Sequence, residues 1–357
     1  MKNIKNQSIK QALVLSILLA NVPATHAQNN STECCFYANA NTATIEYVEK
    51  NIGNQVIHTV PEGAISGVFS ISPNKQVYFS QGNLQHQAST GTWRFAEHQY
   101  DYIGGKNSRV SPRYNGWIDL FCWGSSGWNS GVKYYQPWHK SITVSDIESR
   151  CATYTCDLTG NYEFADWGVY NAISNGGDQA GLWRTLTSDE WRYVFNERQA
   201  STLNGNANAR YVYAKVAKVK GIILFPNNYT HPTGVKLPLL INDLKDKEEP
   251  PQYFSYIHES DGKGWEKNIY SISDWEMMEK AGCVFLPAAG YRSGTSVYGY
   301  KNNRWDSEGC YWSASYCCER CDHHHANCLN FKYNRFWPDC FKSFFLGLSV
   351  RLVYPVQ

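Results

Sequence analysis

Cysteine and histidine are concentrated near the carboxyl end of the chain. Six of the twelve cysteines lie in the last fifty residues, and three consecutive histidines occupy positions 323–325 among them. Cys318 and Cys321, together with two of these histidines and Cys328, could offer sulfur and nitrogen ligands to zinc. The spacing is crowded, however, and no second ligand pair lies at the distance found in zinc fingers. The sequence therefore predicts no built metal site and no cofactor.

Two other chemistries have weaker support in the sequence. Calcium-dependent sugar binding uses a proline-containing carboxamide or carboxylate motif with a Trp-Asn-Asp motif. Here Gln136-Pro137 is followed by Trp138, and the Trp-Asp pairs further along lack the full set, although sugar stacking on Trp or Tyr stays open. No motif places a cysteine beside a base. The acidic pair Asp189-Glu190 is explained by helix capping, and we predict that the protein is not an enzyme.

The same carboxy-terminal segment is rich in aromatic, arginine and small polar side chains that follow no packing period. Such side chains provide contact area at low entropic cost, as binding surfaces require. We therefore predict that residues 310–345 form a ligand-binding surface. The predicted ligand-binding residues are Tyr316, Arg320, Asp322, His323, His324, His325, Asn327, Tyr333, Asn334, Arg335, Phe336, Trp337, Asp339 and Phe341.

Length and charge limit the class of protein. A chain of 357 residues has room for one large domain or two ordinary ones. The formal net charge of +2 does not favour a nucleic-acid or anionic-membrane partner. The 13 Trp and 25 Tyr exceed what a minimal core requires, so some are expected at a contact surface.

The amino-terminal residues have the order of a secretory signal peptide. Lys2, Lys5 and Lys10 precede an apolar run at 12–20, and small residues follow up to Ala27. The run is too short to span a bilayer. We predict cleavage before Gln28 and export to the periplasm, the cell surface or the medium. Export would permit disulfides, for which Cys151 and Cys156 are close enough in sequence, but the pairing stays open.

The rest of the chain divides into a polar leader at 28–63 and a domain at 64–357. Short strands are predicted at 68–72, 76–80, 92–96, 211–216, 221–225, 283–286, 310–313, 326–331 and 348–354. Capping boxes at 187–190 and 273–276 predict two helices, the second ending at Gly282. Trp183, Trp191 and Trp275 are expected in the core, and Arg292 and Arg351 are expected to hold loops. Isolated helices among strands predict an α+β fold.

Several of these segments together carry a family resemblance. In chain order they are VYFSQGNL at 77–84, GWIDLF at 116–121, ADWGVYNAIS at 165–174, WRTLTSDEW at 183–191, GIILFP at 221–226, FLPAAGYR at 285–292, YWS at 311–313 and SVRL at 349–352. Over residues 64–355 the chain resembles exported Bacteroidetes proteins with a C-type-lectin-like domain of the formylglycine-generating-enzyme-like type. The resemblance implies mixed or antiparallel strands, two main helices and long loops.

Some members of that group are variable proteins of diversity-generating retroelements, in which adenine mutation diversifies a carboxy-terminal binding segment. Such mutation of an asparagine codon cannot yield Met, Gln, Glu, Lys or Trp. The composition of residues 316–345 matches this restriction, apart from Glu319, Lys332, Trp337 and Lys342. If the segment is diversified, these four positions must belong to an unvaried framework.

We predict a protein or glycan ligand on another cell, a host or a phage, with no nucleic-acid partner and no membrane-spanning segment. Two alternatives remain open at this point. One is a structural or surface-assembly protein, and the other is an enzyme of the formylglycine-generating-enzyme-like fold. A partner groove would favour the first, and a buried Cys or His pair in a pocket would favour the second.

Overall fold

The computed structural model describes residues 59–140, 157–240, 264–301, 307–317, 325–332 and 335–356, and two strands between residues 33 and 50. The chain divides into two units, residues 1–59 and 60–357. In the first unit, strands β1 (Glu33–Ala38) and β2 (Ile45–Lys50) form an antiparallel hairpin. The predicted signal peptide and the Cys151–Cys156 loop lie outside the described residues.

The second unit combines short helices with small sheets, in agreement with the predicted α+β class. Its described strands are β3 (Ala64–Ser72), β4 (Lys75–Ser80), β5 (Leu84–Gln87), β6 (Thr92–Phe95), β7 (Trp117–Ile118), β8 (Arg184–Thr185), β9 (Tyr211–Val216), β10 (Val219–Leu224), β11 (Ile269–Tyr270), β12 (Val284–Pro287), β13 (Tyr291–Ser293), β14 (Ser296–Tyr298), β15 (Glu308–Tyr316), β16 (His325–Lys332), β17 (Arg335–Ser343), β18 (Leu346–Gly347) and β19 (Leu352–Pro355).

The described helices are all short. They are α1 (Trp167–Tyr170), α2 (Ser188–Arg192), α3 (Gly264–Lys267) and α4 (Ile272–Lys280), with a π-helical turn Tyr193–Glu197 after α2 and 3-10 helices Gly104–Arg109, Lys133–Tyr135 and Gly160–Ala165. The sheets have the strand orders β3-β4-β19-β8, β6-β5-β7, β11-β9-β10-β12, β14-β13-β18 and β15-β16-β17. Among the strand pairs of these sheets, only β9 and β11 are parallel.

The predicted capping box at the start of α2 is confirmed. The Thr187 hydroxyl accepts a hydrogen bond from the Glu190 backbone N–H at 3.2 Å, and the Glu190 carboxylate accepts one from the Thr187 N–H at 2.9 Å. This exchange satisfies two backbone donors that the first helical turn would leave unpaired. Trp191, Val194 and Phe195 are buried, as their spacing predicts.

The cap of α4 differs from the prediction by two residues. Ser271, not Ser273, is the cap: its hydroxyl accepts from the Asp274 N–H at 3.1 Å, and Asp274 accepts from the Ser271 N–H at 3.0 Å. An aspartate at the third helical position replaces the glutamate of the usual motif, so the pattern at 273–276 is misleading. The predicted end at Gly282, which has φ of +88°, is confirmed.

Two packed layers enclose the sheet β15-β16-β17. Trp312 and Cys328 contribute to one apolar cluster, whereas their neighbours Tyr311 and Leu329 contribute to another on the opposite face. The second cluster also contains Trp191 from α2. Because both faces are covered here, β15 is buried without interruption from Glu308 to Ala314 and lacks the alternation of apolar and polar residues that marks a half-exposed strand.

Two predicted strands differ from the structure. The sequence pattern leaves residues 335–343 irregular, but they form β17, whose register with β16 shifts between the Cys328 and Asn330 pairs. Of the single strand predicted at 348–354, only the part from Leu352 onward forms a strand, β19, and the short β18 lies before it at Leu346–Gly347. Between these two strands, Leu348 and Ser349 make isolated bridges to Phe121 and Tyr311.

Candidate functional site

Glu308, at the start of β15, is the centre of a buried polar cluster. Its Oε1 accepts a hydrogen bond from Asn330 Nδ2 at 2.7 Å and from Lys342 Nζ at 3.2 Å. Its Oε2 lies 3.1 Å from Lys332 Nζ. Glu308 lies on β15 and its partners lie on β16 and β17, so one carboxylate ties the three strands of the sheet together.

The two lysines determine the protonation of this carboxylate. Burial by itself would raise the pKa of Glu308, but the ammonium groups of Lys342 and Lys332 outweigh burial and hold it below its ordinary value. The cluster therefore carries one negative and two positive charges near neutral pH. Its net charge of about +1 favours anionic or hydroxylated ligands at its open side.

A cavity of about 410 Å³ opens beside Glu308. The rings of Tyr291 and Tyr298 stack along it with centroids 5.4 Å apart. Its volume falls within the range of small-molecule sites. We call it the tyrosine pocket, and its lining residues are Tyr291, Val297, Tyr298, Gly299, Tyr300, Lys301, Glu308 and Lys332.

A second surface lies on β16 and β17 beyond the buried centre of the sheet. We call it the edge patch, and its members are His325, Asn327, Asp339 and Phe341. Asn327 stands directly opposite Phe341, so their side chains share a face of the hairpin. The His325 ring meets the Phe341 ring edge to face at 5.4 Å. Phe341 is 49% exposed, and Asp339 is also exposed.

The edge patch therefore offers an aromatic face beside a carboxylate, an amide and an imidazole. An exposed aromatic ring next to hydrogen-bonding groups is a common composition for a contact surface. Two further predicted residues, Tyr316 and Trp337, are half-buried on the same sheet. The Tyr316 ring packs 5.9 Å from the Phe344 ring.

Phe336 is a correction to the predicted set. It is fully buried, and its ring packs 4.7 Å from both Phe195 and Tyr211. It belongs to the apolar cluster under α2 and cannot contact a ligand from that position. Arg335 begins β17. The other predicted residues, Arg320, Asp322, His323, His324, Tyr333 and Asn334, lie outside the described residues.

The expected structural roles of the arginines and tryptophans are confirmed. Arg292 is fully buried and donates to backbone carbonyls of Lys140 at 3.0 Å and Gly294 at 2.9 Å, so it holds two loops. Arg351 is likewise buried and donates to Gln99 Oε1. Trp183, Trp191 and Trp275 are at most 1% exposed.

Three thiols lie on one face of the sheet. Cys328 stands directly opposite Cys340, and Cys310 stands opposite Asn330, which donates to its sulfur at 3.1 Å. Burial raises the pKa of Cys310 well above its ordinary value. The pKa of Cys340 is lowered instead, first because the Cys328 thiol donates a hydrogen bond to it and then because Lys342 is near.

Sequence reasoning missed most of the tyrosine pocket. Tyr291, Tyr298 and Tyr300 precede the segment predicted to bind, and Glu308 lies two residues before its start. Three tyrosines within ten residues were a usable signal of an aromatic wall. No local pattern indicates that Glu308 meets Lys332 and Lys342, because those contacts depend on strand register.

In the described part of the chain, no group of three or more His, Cys, Asp or Glu side chains is placed to hold a metal ion. Within the same residues, the structure contains no helix with the length and apolar character needed to cross a membrane.

No protein-family model, curated protein or solved structure matches the chain.

Proposed function

We propose that the protein is an exported ligand-binding protein with a C-type-lectin-like domain, whose recognition face lies on the carboxy-terminal segment 310–345. One observation carries this proposal. Side chains within a single hairpin divide into a sealed framework and an outward patch, as fully buried Phe336 and 49% exposed Phe341 illustrate. Variation in the patch leaves the apolar clusters unchanged, because exposed positions away from the core usually change stability by less than about 0.5 kcal/mol.

The contacts of two lysines support diversification of this face by a retroelement. Lys332 and Lys342 are residue types that adenine mutation of an asparagine codon cannot yield. Both bind the buried carboxylate of Glu308, at 3.1 and 3.2 Å, as expected for framework positions. The exposed Asp339 and Phe341 and the half-buried His325 and Asn327 are residue types that such mutation can yield.

The ligand is proposed to be a protein or glycan on another cell, a host or a phage. The edge patch supports this class, since it combines an exposed aromatic ring with a carboxylate and an amide. The tyrosine pocket adds flat aromatic faces and lysine donors suited to a sugar or an acidic side chain.

The recognition face can be tested by removing the edge patch. A triple variant, Asn327→Ser with Asp339→Ser and Phe341→Ser, is compared with the wild-type chain on an immobilised glycan panel and a panel of intact bacterial cells. We expect a loss of apparent affinity of about tenfold or more, since removing a central aromatic contact commonly costs over 1 kcal/mol.

The control for this experiment is Ile272→Ser. Ile272 is 50% exposed, similar to Phe341, but lies on α4 outside the sheet. It is expected to bind as the wild type does. If the triple variant bound the same glycans or cells as strongly as the wild type, the edge patch would not be the recognition surface.

Diversification has a separate test in the nucleotide sequence around the gene. We expect a near-copy of the stretch encoding residues 316–345, differing only at adenines, beside a reverse-transcriptase gene. If no such copy is present, the proposal of diversification is wrong, whereas the proposal of ligand binding is unaffected.

A further inference from the structure

Cys328 and Cys340 are direct neighbours across the β16–β17 hairpin. Residues opposite each other in an antiparallel pair have Cα atoms about 4.5–5.5 Å apart. Disulfides form when the Cα separation is about 4.4–6.8 Å. Both cysteines are free thiols in the structure, so this pair has the backbone spacing of a disulfide without the bond.

The two thiols differ in access. Cys328 is fully buried, whereas Cys340 is half-buried on the strand that also carries exposed Phe341. A reagent from solution therefore meets Cys340 first. Such an arrangement, an accessible sulfur with a second sulfur directly behind it, is that of an attacking and a resolving cysteine.

The surroundings favour the thiolate of Cys340. The Cys328 thiol stands directly opposite it, and Lys342 lies two residues further along β17. Hydrogen bonding with Cys328 and the positive charge of Lys342 lower the pKa of Cys340, against the effect of its burial. The thiolate is the nucleophile in thiol chemistry, so Cys340 is the reactive member of the pair.

We propose that Cys328 and Cys340 form a reversible dithiol–disulfide site that exchanges electrons with external disulfides and locks the β16–β17 hairpin when oxidised. The Cys340 thiolate attacks one sulfur of the external disulfide, whose S–S bond breaks and releases one thiolate. Cys328 then loses its proton and attacks the Cys340 sulfur of this mixed disulfide. The second external thiolate leaves, so two protein thiols are oxidised and one external disulfide is reduced to two thiols.

The third thiol on this face is not part of the exchange. Cys310 lies on β15 opposite Asn330 and faces neither sulfur directly across a strand pair. It is fully buried, and burial raises its pKa, which keeps it protonated. It serves as the matched control, because it has the same chemistry on the same sheet.

The experiment exposes the full chain, purified in reductant, to oxidised glutathione at pH 7. Samples are quenched with acid, alkylated and mapped by mass spectrometry. We expect the first cross-link to join Cys328 to Cys340, lighter by two hydrogens than the reduced peptides. In the reduced chain, iodoacetamide should modify Cys340 at least about tenfold faster than Cys310.

Three variants assign the roles. Cys328→Ser should accumulate a stable glutathione adduct on Cys340, because the resolving thiol is gone. Cys340→Ser should form neither the adduct nor the link, and Cys310→Ser should form the link at the wild-type rate. Circular dichroism of each variant verifies that the fold is retained.

The wild-type map decides the proposal even if a variant fails to fold. A first link from Cys340 to Cys310, Cys318 or Cys321 would overturn it. So would unchanged thiols at Cys328 and Cys340 under conditions that fully oxidise a model dithiol peptide. The result does not depend on ligand binding, so it stands apart from the test of the recognition face.

Discussion

Glu308 is buried to 6% side-chain exposure and is surrounded by two ammonium groups and an amide. A buried carboxylate is costly to desolvate, and good geometry with several partners is needed to offset that cost. Here Glu308 lies on β15 and its partners lie on β16 and β17, so the ion cluster also specifies the register of the three strands. The residue thus contributes to the position of the tyrosine pocket as well as to stability.

The first prediction concerns this carboxylate. Glu308→Gln keeps a hydrogen-bond acceptor for Asn330 but leaves Lys332 and Lys342 without their counter-charge. We expect the free energy of unfolding at pH 7 to fall by about 2 kcal/mol, less than for a fully buried pair because both lysines are partly exposed. Urea unfolding measures this difference.

The pH dependence of that difference has a definite sign. The pKa of Glu308 is lower in the folded state than in the unfolded state. The stabilisation that its ionised carboxylate provides is therefore complete above the unfolded pKa of about 4.3, and it is lost as the pH falls through the folded-state pKa. The wild type should therefore approach the stability of the variant between pH 5 and roughly pH 3. If the stability difference between the wild type and Glu308→Gln grew as the pH was lowered, the stabilising role of the ionised Glu308 carboxylate would be contradicted.

At the scale of elements, the sheet β15-β16-β17 depends on a close approach between neighbouring strands. Gly309 stands opposite Phe331, and a Cβ atom at Gly309 would overlap the Phe331 ring. The ring is held in turn by Tyr311, with centroids 6.2 Å apart. The glycine lets an aromatic ring lie flat over β15, which closes the apolar cluster beneath α2.

The second prediction tests that close approach. Gly309→Ala should lower the free energy of unfolding by about 2–3 kcal/mol, because the added Cβ would overlap the Phe331 ring, which is fully buried. Gly131→Ala is the matched control, since no heavy atom lies within 4 Å of a Cβ placed there. The control should change stability by less than about 0.5 kcal/mol. Equal effects of the two substitutions in thermal unfolding would argue against the packing described.

Elements with local signals were predicted well, and those that depend on packing were not. The Thr187 cap and the strand at 211–216 were correctly placed, because capping and strand preferences depend on residues a few positions apart. Strand β17 was missed because its residues do not alternate between apolar and polar types and its register with β16 shifts. The Ser271 cap was misplaced because an aspartate performs the role usually taken by glutamate.

At the scale of the whole molecule, the apolar clusters formed by described residues all lie in the second unit. Its carboxy-terminal strand β19 pairs with both β4 and β8, so the last residues of the chain hydrogen-bond to the first strands of the unit. A unit with its own core and both ends tied into one sheet is expected to fold independently.

The third prediction follows from this closure. A fragment of residues 60–357 should unfold cooperatively, with a melting temperature within about 4 °C of the full chain, a difference of roughly 1–2 kcal/mol for a unit of this size. A fragment of residues 60–345 lacks β18 and β19 and should not fold. Thermal unfolding followed by tryptophan fluorescence distinguishes the two. Loss of the cooperative transition in the longer fragment would show that residues 1–59 are needed for the core.

The sequence by itself determined the α+β class, the helix cap at Thr187, the burial of three tryptophans and the loop-holding role of Arg292. These features depend on short-range spacing or on the size and polarity of one side chain. It also located the segment in which Asp339 and Phe341 are exposed.

Only the tertiary structure decided which side chains of that segment are accessible and which groups meet. Phe336 and Phe341 are both phenylalanines and lie five positions apart, yet Phe336 is fully buried and Phe341 is about half exposed. Burial depends on which layer covers each face of a strand. In the same way, the contacts of Glu308 with Lys342 and of Cys328 with Cys340 depend on strand register, which no local pattern in the chain encodes.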